Sequence, residues 1–371
     1  MEYYIWLQLC LGQGNRYVNR IFDSFCDAKA VYDADTLTRT KLLPKSVAAK
    51  LENSVLTKAK EILEKCNRLG VSVVTFHSEG YPTPLKQIEN PPIVLYVKGK
   101  IPDFENTPSV TIVGPRRVSD FGKKSAYSLG YRFARSGMVV VSGGAVGSDT
   151  FAHIGALKAD GITVLVMPCG FSVSYLEENR ALREHIANKG CLISEYPPDM
   201  PVTTFTFPVR NRLLSGLTLG TILVEAGQRS GALITANHAL NQGKDVFVIP
   251  GLPNMKQYKG SNALLRDGAK PLLDASDVFG EYIVHFPDKI NIEKAYKEVP
   301  KPEKEKNNKK TLQITLSNSA KIVYNCLDKQ KFYPDDLNSG LSPSDLLSAL
   351  TELEMEFIIR ALPGGQYEIC K

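Results

Sequence analysis

Apolar and polar positions change their period along the chain, and each change marks a new kind of element. At the start, Ile5 and Leu9, then Val18, Ile21, Phe22 and Phe25, and later Val47, Leu51, Val55 and Ile62 recur at helical spacing. That spacing predicts a small helical domain over residues 1–75. Between 76 and 107 the texture turns to short extended pieces broken by Pro82, Pro84, Pro91 and Pro92, a connector expected to add one strand to the next domain. From there to 282 short continuous apolar runs alternate with helical stretches. The runs are Val110–Val113, Met138–Val141, Thr163–Met167, Cys191–Ser194, Thr221–Val224 and Val246–Ile249, with Gly137, Gly161, Gly190 and Gly243 where helices end. Strands apolar on both faces and separated by helices predict an α/β, Rossmann-like, mostly parallel sheet with helices on both faces.

The pattern then fails. Residues 283–314 contain the run Lys301-Pro302-Glu303-Lys304-Glu305-Lys306-Asn307-Asn308-Lys309-Lys310, too charged and too poor in apolar residues for a core, and are expected to be a flexible linker. Over 315–371, Ser319–Leu327 reads as a helix, Ser342-Pro343 as the cap and first position of another, and Phe357–Arg360 with Ala361–Ile369 as a hairpin around Pro363-Gly364-Gly365. This is a winged-helix-like plan. Its second helix carries Asp345, Glu352, Glu354 and Glu356, which suits a protein contact better than a polyanion.

Composition adds limits. The chain has 371 residues, 43% hydrophobic and 23% charged, room for two or three domains, with no apolar run long enough to cross a bilayer. The opening Met1-Glu2-Tyr3-Tyr4-Ile5-Trp6 has no basic leader, so no membrane association is expected and the cytoplasm is the expected compartment. Lys and Arg number 45 against 39 Asp and Glu, and a net charge of +6 permits a polyanionic partner without requiring one. The seven cysteines have no paired spacing and predict buried thiols, with neither a zinc site nor a disulfide framework.

Candidate chemistry gathers where the strands end. Val139-Val140-Val141 runs into Ser142-Gly143-Gly144-Ala145-Val146-Gly147-Ser148-Asp149, a strand, a tight turn and a helix start. Outward-pointing amides there would bind an anion; alternatively the glycines only allow close packing, and an Asp149 cap would occupy the same amides. The first strand ends in Gly114-Pro115-Arg116-Arg117. The loop after the fourth leads into Phe205-Thr206-Phe207-Pro208-Val209-Arg210-Asn211-Arg212, whose two aromatics and two arginines are the combination that stacks on bases and neutralises phosphates; alternatively the Phe pair is core. Leu11-Gly12-Gln13-Gly14 is either a SAM-like or helix-hairpin-helix-like turn that touches phosphate or a plain helix corner. Asp149, Glu195 and Glu225 read as caps and loop-ordering carboxylates rather than as a metal or acid/base set, and His153 and His238 as packed histidines, so no cofactor and no metal are expected.

Taken together these stretches resemble the DNA-processing protein A family, also called DprA or Smf. The matching residues are Ile112-Val113-Gly114-Pro115-Arg116, Ser142-Gly143-Gly144-Ala145 with Gly147-Ser148-Asp149 and Ala152-His153, and Ser194-Glu195-Tyr196-Pro197. Phe207-Pro208-Val209-Arg210-Asn211-Arg212, Val224-Glu225-Ala226, Ser230-Gly231-Ala232-Leu233-Ile234-Thr235-Ala236 and Val248-Ile249-Pro250-Gly251 come next, in order. The resemblance implies a non-catalytic, dimeric binder of single-stranded DNA that loads the RecA recombinase during natural transformation. By position it implies that Arg116 contacts phosphate, that Ser142, Gly143, Gly144, Ser230 and Gly231 line the site, that Arg210, Asn211 and Arg212 complete it, and that Phe207 stacks on a base. Gly170-Phe171-Ser172 and Tyr175-Leu176-Glu177-Glu178-Asn179 depart from the family's Gly-x-Asp and Tyr-Pro-x-x-Asn.

Two other readings stand beside it. Leu219-Gly220-Thr221-Ile222-Leu223-Val224-Glu225 is similar to the Gly-Thr-x-x-Glu of lysine-decarboxylase-like nucleotide phosphoribohydrolases, though Ser215-Gly216-Leu217-Thr218 stands where their two glycines would be. A pure interaction scaffold, working through its C-terminal domain, would leave the strand-end arginines idle.

Overall fold

The structure, a computed structural model, describes residues 1–52, 56–297, 316–328, 330–356, 358–362 and 364–370. Val55, Phe357 and Pro363, and the expected linker from 298 onward, lie outside them. The described chain forms two compact units, Met1–Val173 with Ile186–Ala295, and Ser174–His185 with the residues from Tyr296 on.

The larger unit is built on nine strands: β1 Ser72–Thr75, β2 Val94–Gly99, β3 Ser109–Val113, β4 Val139–Ser142, β5 Thr163–Met167, β6 Cys191–Ser194, β7 Gly220–Leu223, β8 Asp245–Val248 and β9 Lys270–Pro271. Their order is β1-β2-β6-β5-β4-β3-β7-β8-β9, parallel from β6 to β9. The parallel strands β3 to β7 are buried along their whole length, as continuous apolar runs require. The connector contributes one strand, β2; β1 comes from the end of the segment read as helical and pairs antiparallel with β2, which pairs antiparallel in turn with β6. Pro82, Pro84, Pro91 and Pro92 all fall between β1 and β2, so they break the segment without removing a ladder donor from either strand.

The chain fills β3 to β6 on one side and then returns to the other side of β3 with β7. That reversal opens a crevice beyond the carboxyl ends of β3 and β7, where ligands of open α/β sheets bind.

The N-terminal helices fold against β2. Helix Glu2–Leu11 buries Ile5, Trp6 and Leu7, and Trp6 meets the Tyr32 ring edge-on at 5.0 Å. Gln8 pins this helix to the sheet: its Nε2 donates to the carbonyls of Val94 and Glu195, both at 3.1 Å, and its Oε1 accepts from Tyr96 Oη at 3.1 Å. At the other end of the unit Ile290 and Ala295 are buried and the Asn291 amide donates to Ser136, so the chain packs on the core well past 283, where the linker was expected to begin.

The smaller unit contains helix Asn318–Asn325, helix Pro343–Met355 and three antiparallel strands, β10 Lys331–Phe332, β11 Ile359–Ala361 and β12 Tyr367–Ile369, in the order β10-β12-β11. Ser342 caps its helix as expected, accepting from the Asp345 amide. The acidic residues of that helix are largely committed within the unit. Glu352 accepts from the Ser317 amide at 2.7 Å, Glu354 from the Ala361 amide at 3.1 Å, and Asp345 pairs with Arg180 at 2.7 Å.

Candidate nucleic-acid interface

Two loops meet at the carboxyl ends of β3 and β4. A Cβ on Gly114 would lie 2.2 Å from Ser148 Oγ, so only glycine lets the chain leave β3 against the next helix start. The Pro115 carbonyl accepts from the Ser148 amide at 3.3 Å, and a Cβ on Gly147, whose φ is +99°, would lie 2.4 Å from the Arg116 carbonyl oxygen. The Arg116 backbone is thereby held against the glycine turn. Arg116 and Arg117 are exposed, and the Arg116 guanidinium carbon lies 5.0 Å over the ring of half-buried Phe207. A cation stacked this way is oriented without being neutralised, so its charge remains available to an anion.

The turn itself is more occupied than an open anion cradle. Asp149 Oδ2 accepts from the Ala145 amide at 3.3 Å, the Gly143 carbonyl accepts from Arg210 Nη1 at 2.9 Å, and Ser142 Oγ is buried and donates to Ile112. A Cβ on Gly143 would come within 2.6 Å of Arg210 Nη2 and 2.8 Å of Asp149 Oδ2. Burial pushes the Asp149 carboxyl up to about 6, opposed chiefly by the neighbouring Arg210 charge. Behind it His153 is fully buried, its Nδ1 2.7 Å from Thr163 Oγ1, and burial pushes it down to about 3.

The largest departure from expectation concerns Arg210, Asn211 and Arg212. They lie on helix Thr206–Leu217 at 4%, 8% and 2% exposure, and their polar groups point inward. Arg210 donates to Gly143 and Val166 and, through Nε, to Asn211 Oδ1. Arg212 Nη2 donates to both oxygens of Glu195, at 2.6 and 2.8 Å, and the Gly14 amide donates to the same carboxylate at 3.1 Å. These residues support the edge from beneath instead of completing its outer surface, because the helix turns their side of its surface to the sheet. Gly14 likewise faces the core, so the N-terminal turn is a docked corner. Glu195 is the loop-ordering carboxylate that the sequence suggests; its partners Arg212 and Gly14 lie distant in sequence and leave no local signal.

Residues 72–283 match the family model described as DNA recombination-mediator protein A. The DNA processing protein DprA of Bacillus subtilis is 36% identical over 249 residues, 66% of this chain and 82% of its own length. This chain belongs to the DNA recombination-mediator protein A family. The DprA of Streptococcus pneumoniae is 39% identical over 202 residues, 54% of this chain and 71% of its own. The solved structure of the pneumococcal protein superimposes with a TM-score of 0.66 at 30% identity, over 76% of this chain and 98% of that one. DNA processing protein A from Helicobacter pylori, a structure described for its single-stranded DNA binding mode, superimposes at 0.53 and 29% identity over 58% and 96%.

In this family member the remaining expected residues divide. Gly231 is exposed with nothing within 4 Å of where a Cβ would stand, and half-buried Ser230 Oγ accepts from the Ala232 amide, next to exposed Gln228 and Arg229. Glu225, the acid on which the hydrolase reading depends, is fully buried and accepts from the Ser119 amide and hydroxyl and from Tyr258 Oη at 3.0 Å. It holds the loop after β3 to the segment after β8 and presents no free oxygen to a substrate, which removes the support for that reading. No group of His, Cys, Asp and Glu among the described residues could hold a metal ion, and no described helix is long and apolar enough to cross a membrane.

Proposed function

We propose that this protein captures single-stranded DNA across the carboxyl edge of its sheet, as a non-catalytic factor in DNA processing for transformation and recombination. One observation carries the reading: the Arg116 guanidinium stacked over Phe207, its backbone clamped against Gly147 at the switch point of a parallel sheet. Arg116 supplies phosphate neutralisation, and the cation–ring stack supplies a flat face for a base. Ser230 and Gly231 let the strand approach the backbone, whereas Gly143 and Gly144, buried against Arg210, Asp149 and Leu165, hold the turn in place together with Ser142, Arg210, Asn211 and Arg212. The single-stranded DNA binding described for the Helicobacter pylori relative supports the same ligand class.

The reading extends to a homodimer that hands its strand to the RecA recombinase, which is consistent with the recombination-mediator description of the family. The test is anisotropy of a labelled single strand titrated with the full chain at two salt concentrations, with duplex and nucleoside monophosphate as competitors. Salt-sensitive binding that unlabelled single strand displaces, and duplex does not, is expected; displacement by the mononucleotide alone would overturn the reading.

A further inference from the structure

Phe205 is the most conspicuous apolar side chain near this edge. It is 81% exposed, a value that only Leu273 equals among the exposed large hydrophobic residues described. It also occupies the N-cap of helix Thr206–Leu217 and makes no side-chain cap hydrogen bond. Its backbone is already helical, at φ −81° and ψ −24°, so position 205 lacks the extended geometry that side-chain capping needs, and its ring is exposed without a capping role.

The ring is not on a loose loop. Thr206 Oγ1 donates to the Thr203 carbonyl at 2.9 Å and accepts from the Thr203 amide at 3.1 Å, while buried Tyr196 donates through Oη to the Thr206 carbonyl at 3.0 Å. These bonds fix the backbone on both sides of Phe205. Two residues further on, Phe207 has Arg116 over its ring, so one of its faces is already covered. The two Cα atoms are at most about 7 Å apart, so a strand held at Phe207 passes within reach of Phe205, although residues two apart on a helix point to different sides of it.

We infer that Phe205 is a second base-stacking platform, which takes the base adjacent to the one held at the Arg116–Phe207 stack. This rests on the single-stranded DNA reading above and adds a second contact to it. Every base has a π-face, so the platform accepts bases of any identity and contributes no counterion release.

The experiment measures labelled oligothymidylate binding to the full chain carrying Phe205→Ser, Phe205→Trp or Arg116→Ala, together with melting temperature and sedimentation of each free protein. Phe205→Ser is expected to weaken binding about ten-fold or more with an unchanged salt slope, while its melting temperature changes little because the ring it removes is 81% exposed. Phe205→Trp restores binding, and an oligonucleotide of abasic sites responds little to Phe205→Ser. If Phe205→Ser leaves affinity intact while Arg116→Ala lowers it, the platform is overturned and the strand-binding reading survives. A change in sedimentation with no change in strand affinity would assign Phe205 to a contact between copies, which also overturns the inference. Failure of the unaltered protein to bind oligothymidylate overturns both.

Discussion

Arg212 and Glu195 form an ion pair in which each side chain is only 2% exposed, Nη2 lying 2.6 Å from Oε1. The pair joins helix Thr206–Leu217 to the end of β6, and the Gly14 amide completes it from the N-terminal domain. Arg212 Nε and Nη1 are buried without a hydrogen-bond partner among the described residues, so the guanidinium is not fully compensated. Such a pair contributes little net stability compared with apolar residues of the same shape, but breaking it strands a buried charge.

Arg212→Met should therefore cost about 3 to 5 kcal/mol of folding stability. Urea denaturation checks this, and the double variant with Glu195→Gln should recover part of the loss. Unchanged stability in Arg212→Met would refute the pair's structural role.

Arg116→Ala should behave in the opposite way. It removes an exposed charge, so folding stability should stay within about 0.5 kcal/mol. Single-strand affinity should fall by about 1 to 3 kcal/mol and the salt slope by about one. Salt-dependent titrations read both quantities.

Phe207→Ala removes the ring beneath Arg116, so its effect should include the cation as well as the stack. Affinity should fall by about 1 to 3 kcal/mol, and the salt slope should move toward that of Arg116→Ala. A double-mutant cycle of the two substitutions should be clearly non-additive; additive losses would separate the residues.

Acid sensitivity should run through His153. Its folded value of about 3 lies below its ordinary 6.5, so it contributes stability that is present above 6.5 and lost as pH falls toward 3. Asp149 acts in the other direction, since a carboxyl raised from 3.8 to about 6 favours the fold as pH falls between those values. Between about 6 and 3.8 the two contributions oppose each other by one proton apiece and nearly cancel. Stability should therefore fall only slightly from pH 6.5 to 6 and again below 3.8, whereas His153→Asn leaves Asp149 unopposed and stability should then rise as pH falls from 6 toward 3.8. Melting temperature against pH for the two proteins decides it.

No base should be released when the protein is incubated with nucleoside monophosphates, because Glu225 is enclosed by its donors. Glu225→Gln should instead lower folding stability by about 1 to 3 kcal/mol through loss of a charged acceptor. Chromatography of the incubation and a denaturation curve give the two answers.

Local pattern was enough to determine the strands of the core, the Ser342 cap and the glycine turns, because apolar run length, period and capping chemistry act over a few residues. The same local logic brought Arg116, Phe207 and the Gly143-Gly144 turn to one sheet edge, since all come after strand ends. It could not say which side of helix Thr206–Leu217 meets the sheet. That is decided by Glu195, Gly14, Gly143 and Val166, residues distant in sequence that claim Arg210 and Arg212 and leave Phe205 outside. Composition alone treats every arginine in an aromatic-basic segment as available to phosphate. Only tertiary packing separates the guanidinium that faces solvent from the two enclosed by backbone carbonyls and a buried carboxylate, because burying a charge without such partners is too costly for the fold to tolerate.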